Sequence, residues 1–534
     1  MSRISVLDCT LRDGGYVNDW DFGKEPIRTI ISNLIDAGVD LIECGFITSK
    51  KHTSDSKSLF GSFDEADRRL RELVPYCKNL VMMINFGEYD SNDIPDRAGS
   101  CIGGIRVAFH KPDMPEAFVL CEDIKRKGYS VFVQPMNTKN YNQDELLELI
   151  ERTNALKPEA IYIVDSAGSM RGMDVEELYG YYNGHLDEDI TVGFHSHNNL
   201  QLSFSNAQEF IRCSGERQIA IDSTLMGIGR GAGNLCTELL AQHLNENNDG
   251  KYDMLPILVT IDEVLYPLQS KYQWGYTIPY YLAATCGCHP NYATYLSNKQ
   301  TLKVKDISAM LKSIPDSSKS MYDQKMMEMI YIDFQNNVID DSAAVELISG
   351  LIDDRPVFVI APGRSYKDHL SKIRRCADSR NSLVVTVNFI DPVLNADLAF
   401  FGNNRRYSEY SESIAKFGGK VIVTSNIKDR RKSDLVINYA DYLNDDTNIM
   451  DNSGLMLMNL LSKIGTAEIH LAGFDGFGTD RRLNYYDGLR NISDRSFLSA
   501  QNKSISTRIK QLSVKTGISF ITPSMYENAG DNDF

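Results

Sequence analysis

The first 225 residues alternate between short runs rich in Val and Ile and longer stretches whose apolar positions recur at helical spacing. The runs Ile4–Asp8, Val39–Gly45, Leu80–Asn85, Gly104–Phe109, Tyr129–Pro135, Ala160–Asp165, Ile190–Ser196 and Gln218–Ser223 predict strands. The stretches Pro26–Ala37, Asp64–Leu73, Pro115–Lys127, Gln143–Leu156, Val175–Tyr182 and Leu202–Cys213 predict helices. Strands that are apolar throughout, each followed by a helix, belong to a parallel sheet covered on both faces. Eight such units fit a TIM (β/α)8 barrel over residues 1–250. An open doubly wound sheet is the rival reading, and the barrel is favoured.

From Leu255 to about Ile348 the pattern turns helical around an aromatic-rich centre, Tyr272–Tyr295, and predicts a helical extension over 251–348. A second α/β rhythm starts at Pro356–Ala361 and continues through Leu383–Phe389, Asp397–Phe401, Lys420–Ser425, Asp434–Asn438 and Glu468–Phe474. It predicts a separate Rossmann-like domain over 349–534, with a frayed acidic tail at Asn528–Phe534.

At 534 residues the chain exceeds one ordinary core, which agrees with this division. No stretch of 18 apolar residues suggests a membrane span. The opening MSRISVLDCTLRDGG lacks the apolar run of a secretory signal, so a cytoplasmic protein is expected. The ten cysteines lack paired C-x-x-C spacing and read as reduced thiols. A net charge of −16 argues against nucleic acid as the main partner.

In a barrel, chemistry gathers just after the strands. The first run leads into Thr10-Leu11-Arg12-Asp13-Gly14-Gly15, the seventh into His195-Ser196-His197-Asn198-Asn199, and the eighth into the loop Gly227–Asn234. His195 and His197 stand two apart, so in extended chain both imidazoles face one way. With Asp13 from the first strand they supply mixed nitrogen and oxygen ligands suited to Mn²⁺ or Mg²⁺, with Co²⁺ and Zn²⁺ as alternatives. Arg12 beside Asp13 is placed to stabilise an enolate oxygen. Gly229 and Gly231 belong to a loop whose exposed N–H groups suit a substrate carboxylate or phosphate. A plain tight loop reads the same way, and no G-x-G-x-x-G follows the first strand.

The motifs LDCTLRDGG at 7–15, IECGF at 42–46, GFHSHNN at 193–199 and GIGRGAGN at 227–234, in that order, resemble the DRE-TIM metallolyase superfamily. That superfamily holds the HMG-CoA lyase-like enzymes, the isopropylmalate and homocitrate synthases and 4-hydroxy-2-oxovalerate aldolase. The resemblance implies metal binding by Asp13, His195 and His197, an enolate steadied by Arg12, and Asn234 in or beside the coordination sphere. Glu43, in the second motif, is expected on the substrate side with Gly229 and Gly231.

The aldolase branch is the most similar. The glycine loop lacks the cysteine of the HMG-CoA lyases, and no synthase-type regulatory domain follows the barrel. The aldolases carry an acid–base tyrosine in a helical extension. Tyr276 resembles it, with Tyr280 and Tyr281 as alternatives. Where the aldolases have a catalytic histidine, this chain has Tyr16, a weaker base at neutral pH.

Val357–Ser365, Val384–Phe389 and Ser453–Phe477 resemble the nucleotide-sugar-binding core of bacterial sialyltransferases. The resemblance implies a nucleotide-sugar at the C-terminal domain and a place in surface-polysaccharide synthesis. No histidine follows His470 to serve as the transferases' base, so binding or scaffolding is as well supported as catalysis.

The function expected is a divalent-metal-dependent aldolase or lyase. It would act through the enolate of pyruvate or a related 2-oxo acid, which adds to or leaves from an aldehyde. The alternatives are a Claisen-type acyltransferase using acetyl-CoA, and a bifunctional or binding protein dominated by its C-terminal domain. A homo-oligomer is expected by analogy with the family.

Overall fold

The computed structural model describes residues 4–74, 80–248, 251–299, 301–478 and 495–527. The acidic tail expected to fray lies outside them. The chain divides into two compact units, Met1–Thr294 with Pro315–Tyr322, and Tyr295–Ile314 with Asp323–Phe534. The helices between 251 and 348 are thus distributed between the two units and form no third body.

In the first unit, β1 (Ile4–Asp8), β2 (Leu41–Ile47), β4 (Leu80–Asn85), β5 (Ile102–Phe109), β6 (Ser130–Pro135), β7 (Ala160–Asp165), β8 (Thr191–Ser196) and β9 (Ile219–Ser223) pair in parallel, and β1 pairs with both β9 and β2. That closure makes an eight-stranded TIM barrel. A two-residue strand, β3 (Leu59–Phe60), adds to β2 from outside.

The barrel's strands read as continuously apolar because one face packs on helices and the other fills the lumen. Ile105 and Val107 of β5, or Ile219 and Ile221 of β9, join the large core beneath the helices. Leu7, Val81, Phe132, Tyr162 and Ala220 form a second cluster inside. Gly193 of β8 belongs to this inner face, because a Cβ there would lie 2.5 Å from the Tyr162 ring. The strand period of two then turns His195 inward as well.

The second strand was expected two residues earlier than it falls. Val39 closes the preceding helix through a bond from its N–H to the Leu34 carbonyl. The strand instead runs on past Gly45, where its pairing with β4 shifts register. Gly45 has φ +137°, and a Cβ there would sit 1.9 Å from the Ser58 carbonyl oxygen. Only glycine fits both conditions.

The second unit holds seven parallel strands: β10 (Val357–Ile360), β11 (Leu383–Val387), β12 (Leu398–Phe401), β13 (Lys420–Thr424), β14 (Leu435–Ile437), β15 (Glu468–Ala472) and β16 (Gly517–Phe520). Their order is β14-β13-β12-β11-β10-β15-β16. The chain steps outward from β10 to β14, then returns to the other side of β10 with β15. The open sheet is Rossmann-like, with its switch point between β10 and β15. No helix of the described residues is long and apolar enough to cross a membrane.

Candidate functional site

Asp13, His195 and His197 come together at the C-terminal end of the barrel, all buried. His195 Nε2 lies 3.4 Å and His197 Nε2 3.8 Å from Asp13 Oδ2. The ligand atoms of the three residues fall within 4.8 Å of one another, so the group could hold a metal ion. Asn234 closes the same corner through an isolated bridge with His197, and its Oδ1 is buried without a hydrogen-bond partner among the described residues. An orphaned buried oxygen beside a carboxylate and two imidazoles fits a hard or borderline divalent cation. Cys9, His195 and Asp222 also lie close together. Burial holds the Cys9 thiol well above its usual pKa, and its Sγ donates to the Ser223 carbonyl, so it offers no thiolate.

Behind the ligands runs a closed ring of alternating charge. Asp13 accepts from Arg12 Nη1 at 2.6 Å, and Arg12 Nε donates to Glu43 Oε2 at 2.7 Å. Glu43 Oε2 also accepts from Arg106 Nη1 at 2.9 Å, and Arg106 Nη2 donates to Asp222 Oδ2. Asp222 Oδ2 lies 2.9 Å from His195 Nδ1. Asp222 is ionised, so Nδ1 carries a proton; burial opposes charge on His195, but its bonds to Asp13 and Asp222 raise its pKa, and a cation binding at Nε2 would displace the proton there.

The ring sets the charge states. Burial alone would raise the Asp13 pKa, yet Arg12 and the imidazoles hold it well below the carboxylate range. Burial would lower Arg12, but Glu43 and Asp13 keep it charged. Burial likewise opposes the charge on Asp222, and Arg106 and His195 restore it. His197 is pushed down to about 3, chiefly by burial, so its imidazole is neutral and able to ligate.

Arg12 belongs to the cluster and is fixed by Trp20, whose Nε1 donates to the Arg12 carbonyl at 2.8 Å. Its Nη2 makes no hydrogen bond among the described residues. Glu43, expected on the substrate side, has no exposed surface and sits behind Arg12. Gly229 is required by close approach, since a Cβ there would lie 2.1 Å from Asn234 Nδ2 and 3.2 Å from Asp13 Oδ1. Gly231 stands at φ +70° against the Asn199 side chain. Tyr276 is 49% exposed and touches none of the cluster, whereas its neighbour Trp274 donates to the Met226 carbonyl at the loop's foot.

A cavity beside the cluster is lined by Tyr16, Asn85, His110, Asn137, Arg230 and His289 among others. Desolvation raises the Tyr16 pKa although its ring is partly exposed, which makes it a hydrogen-bond donor at neutral pH. Sequence reasoning missed His289, Arg106 and Asp222. Burial, reinforced by Arg230, holds His289 well below its usual pKa, so it is neutral. Its Nδ1 accepts from the Asn291 N–H at 3.2 Å, which leaves its proton on Nε2.

The second unit has a cavity of its own at the C-terminal ends of β10, β11, β12 and β15, around its switch point. Gly363, Asn388, Arg405, Arg406, Ser453 and Tyr526 are among its walls. His470 takes no part, being bonded to Ser519 and Arg380.

The HMGL-like family model matches residues 113–262. A 4-hydroxy-2-oxovalerate aldolase of Pelotomaculum thermopropionicum is 30% identical over 250 residues, 46% of this chain and 70% of the relative. An oxaloacetate decarboxylase of Mycobacterium tuberculosis is 27% identical over 240 residues, 45% of this chain and 69% of the relative. Among solved structures, the carboxyl transferase domain of Rhizobium etli pyruvate carboxylase with pyruvate aligns at 14% identity, covering 65% of each chain with a TM-score of 0.48. The chain belongs to the HMGL-like family and is an enzyme of its lyase class.

Proposed function

We propose that the barrel is a divalent-metal-dependent lyase that makes or breaks a carbon–carbon bond through the enolate of a 2-oxo acid, with pyruvate as the donor. The observation that carries this reading is the convergence of Asp13, His195 and His197 beside an Arg12 whose Nη2 is free to donate. Asp13, His195, His197 and Asn234 would hold the ion, which supplies Lewis-acid stabilisation of negative charge on the donor's oxygens. Arg12, locked between Asp13 and Glu43, presents Nη2 to the enolate oxygen without reorganising. Neutral His289 offers its Nε2–H to the acceptor's carbonyl oxygen as that oxygen gains charge, and Tyr16 offers a second donor. Tyr276, exposed outside the cluster, has less support than either.

The test is proton–deuterium exchange at the pyruvate methyl, followed by NMR with Mn²⁺ or Mg²⁺. Metal-dependent exchange, lost in His195→Ala and Arg12→Ala, is the expected result. No exchange by the metal-loaded wild type sinks pyruvate as donor.

A specific observation favours a second ligand on the same chain. The second unit's cavity sits at a switch point, where open α/β sheets hold their ligands. The first turn of the helix Ser453–Lys463 opens on it, with Arg405 and Arg406 alongside. We infer a nucleotide-sugar there, and through it a place in surface-polysaccharide synthesis. Calorimetric titration with CMP and UDP tests this, and binding unchanged in Arg406→Ala counts against it.

A further inference from the structure

Arg230 stands apart from the other cations of the barrel's active end. Arg12 and Arg106 are each clamped between two buried carboxylates. Among the described residues the Arg230 side chain makes no hydrogen bond and no ion pair, and its Nε is buried without a partner. Its guanidinium lies 5.3 Å from the centre of the Tyr16 ring and lines the cavity beside the candidate metal ligands. Glu88 and Asp113 line the same cavity, and among the described residues neither lies within ion-pair distance of Arg230.

The position of Arg230 is held from both sides. Its own N–H points at Asp13 Oδ1 at 3.4 Å, and its carbonyl accepts from Gly233 at 3.2 Å. Asn199 Oδ1 accepts from the Ala232 N–H at 2.7 Å, and Gly233 O accepts from Asn198 at 2.7 Å. A partly buried cation whose Nε has no partner, set on a loop held in place beside the metal ligands, is positioned to meet an anion supplied by a ligand. The donor's negative charge would be met by Arg12 and by the ion that Asp13, His195 and His197 would hold, so the missing anion is assigned to the other reactant.

We infer that the acceptor is an aldehyde carrying its own anionic group, a carboxylate or a phosphate, which pairs with Arg230. Asn85, Asn137 and His110 line the same cavity and suit a polar, hydroxylated chain. This inference rests on the lyase reading above. In the addition direction, pyruvate C3 loses one proton and bonds to the aldehyde carbon. The aldehyde oxygen takes up one proton, giving a 4-hydroxy-2-oxo acid with a second anionic group. No oxidant or further reactant is needed.

The experiment compares kcat/KM with pyruvate for propanal, succinic semialdehyde and glycolaldehyde phosphate, in wild type, Arg230→Met and Arg230→Lys. A charge-assisted pair favours the anionic aldehyde by about tenfold to a hundredfold. That preference should vanish in Arg230→Met and return in part in Arg230→Lys. The favoured aldehyde tells carboxylate from phosphate. Equal preference in wild type and Arg230→Met overturns the inference, and pyruvate exchange persisting in both leaves the lyase reading standing. If the wild type gives no exchange with any divalent metal, pyruvate falls as the donor. Calorimetric binding of the same three aldehydes then decides the anion site: retained selectivity that depends on Arg230 supports it, and none overturns it.

Discussion

Asp222→Asn separates orientation of a ligand from survival of the fold. Both bonds to Asp222, from Arg106 and from His195, arrive at Oδ2, while Oδ1 is buried without a partner. An asparagine that keeps its oxygen at the Oδ2 position retains both partners but loses its charge. Its NH₂ then takes the orphan's place, where a buried unpaired donor costs about 1–3 kcal/mol. Arg106 remains paired with Glu43, so global unfolding should weaken by roughly that amount and no more. Metal binding should suffer separately. The bond to His195 Nδ1 drops from charge-assisted to neutral, a loss of about 1–2 kcal/mol, and the His195 tautomer is less firmly set. Together these predict Mn²⁺ affinity about 10- to 100-fold weaker by isothermal titration calorimetry. Asp40→Asn is the control. Asp40 bonds to the Val6 N–H and the Tyr252 hydroxyl near the start of β1, so it should lower stability and leave Mn²⁺ affinity alone. An Asp222→Asn protein that binds Mn²⁺ within twofold of wild type would refute the reasoning, whatever its stability.

Metal binding should also stabilise the fold. Mn²⁺ at a hundred times its dissociation constant is expected to add about 2.7 kcal/mol in urea unfolding, and His197→Ala should abolish the gain. A gain that survives that substitution would place the ion elsewhere. Gly229→Ala drives a methyl into Asn234 and toward Asp13, so Mn²⁺ affinity should fall at least tenfold, with about 1–3 kcal/mol lost from stability. Unchanged affinity would mean that the loop yields freely. Burial raises the Asp8 pKa from 3.8 to about 6. Between those values the folded state binds more protons than the unfolded one, so stability falls as pH rises, by ~3 kcal/mol across the window. Asp8→Asn lacks this slope and should gain on wild type by up to that amount between pH 4 and pH 7, read by urea unfolding. A constant gap would sink the assignment.

The barrel was legible because each of its eight strands is apolar on both faces, a signal that neither loops nor surface helices imitate. β1, β4 and β7 fall where the pattern puts them, while β2 slips because only Gly45 marks its bulge. In the second unit, β16 escaped notice because it is a half-exposed edge strand of four residues, GISF, with little apolar contrast. The convergence of His195 and His197 was readable from spacing, since residues two apart in extended chain share a face. Arg106 and Asp222 were not read, although each interrupts an otherwise apolar run. A charge in the middle of such a strand points into the lumen and marks the site. His289 carries no such signal. It lies in an irregular turn between two helices, and only the folded chain brings it to the cavity.

The charged ring draws its members from the loop after β1 and from β2, β5, β8 and β9, positions up to 210 residues apart in the chain (Arg12 to Asp222). No two-strand or half-barrel intermediate can assemble it, because its links run from the segment after β1 to β8 and from β5 to β9. Unclosed, Arg106 would lack Asp222 and Asp13 would lack His195, and water would have to stay beside both. The ring therefore acts as a clasp on folding: sealing the seam, drying the lumen and creating affinity for the ion are one event. The appearance of a bound ion during refolding reports the moment at which the cylinder shuts.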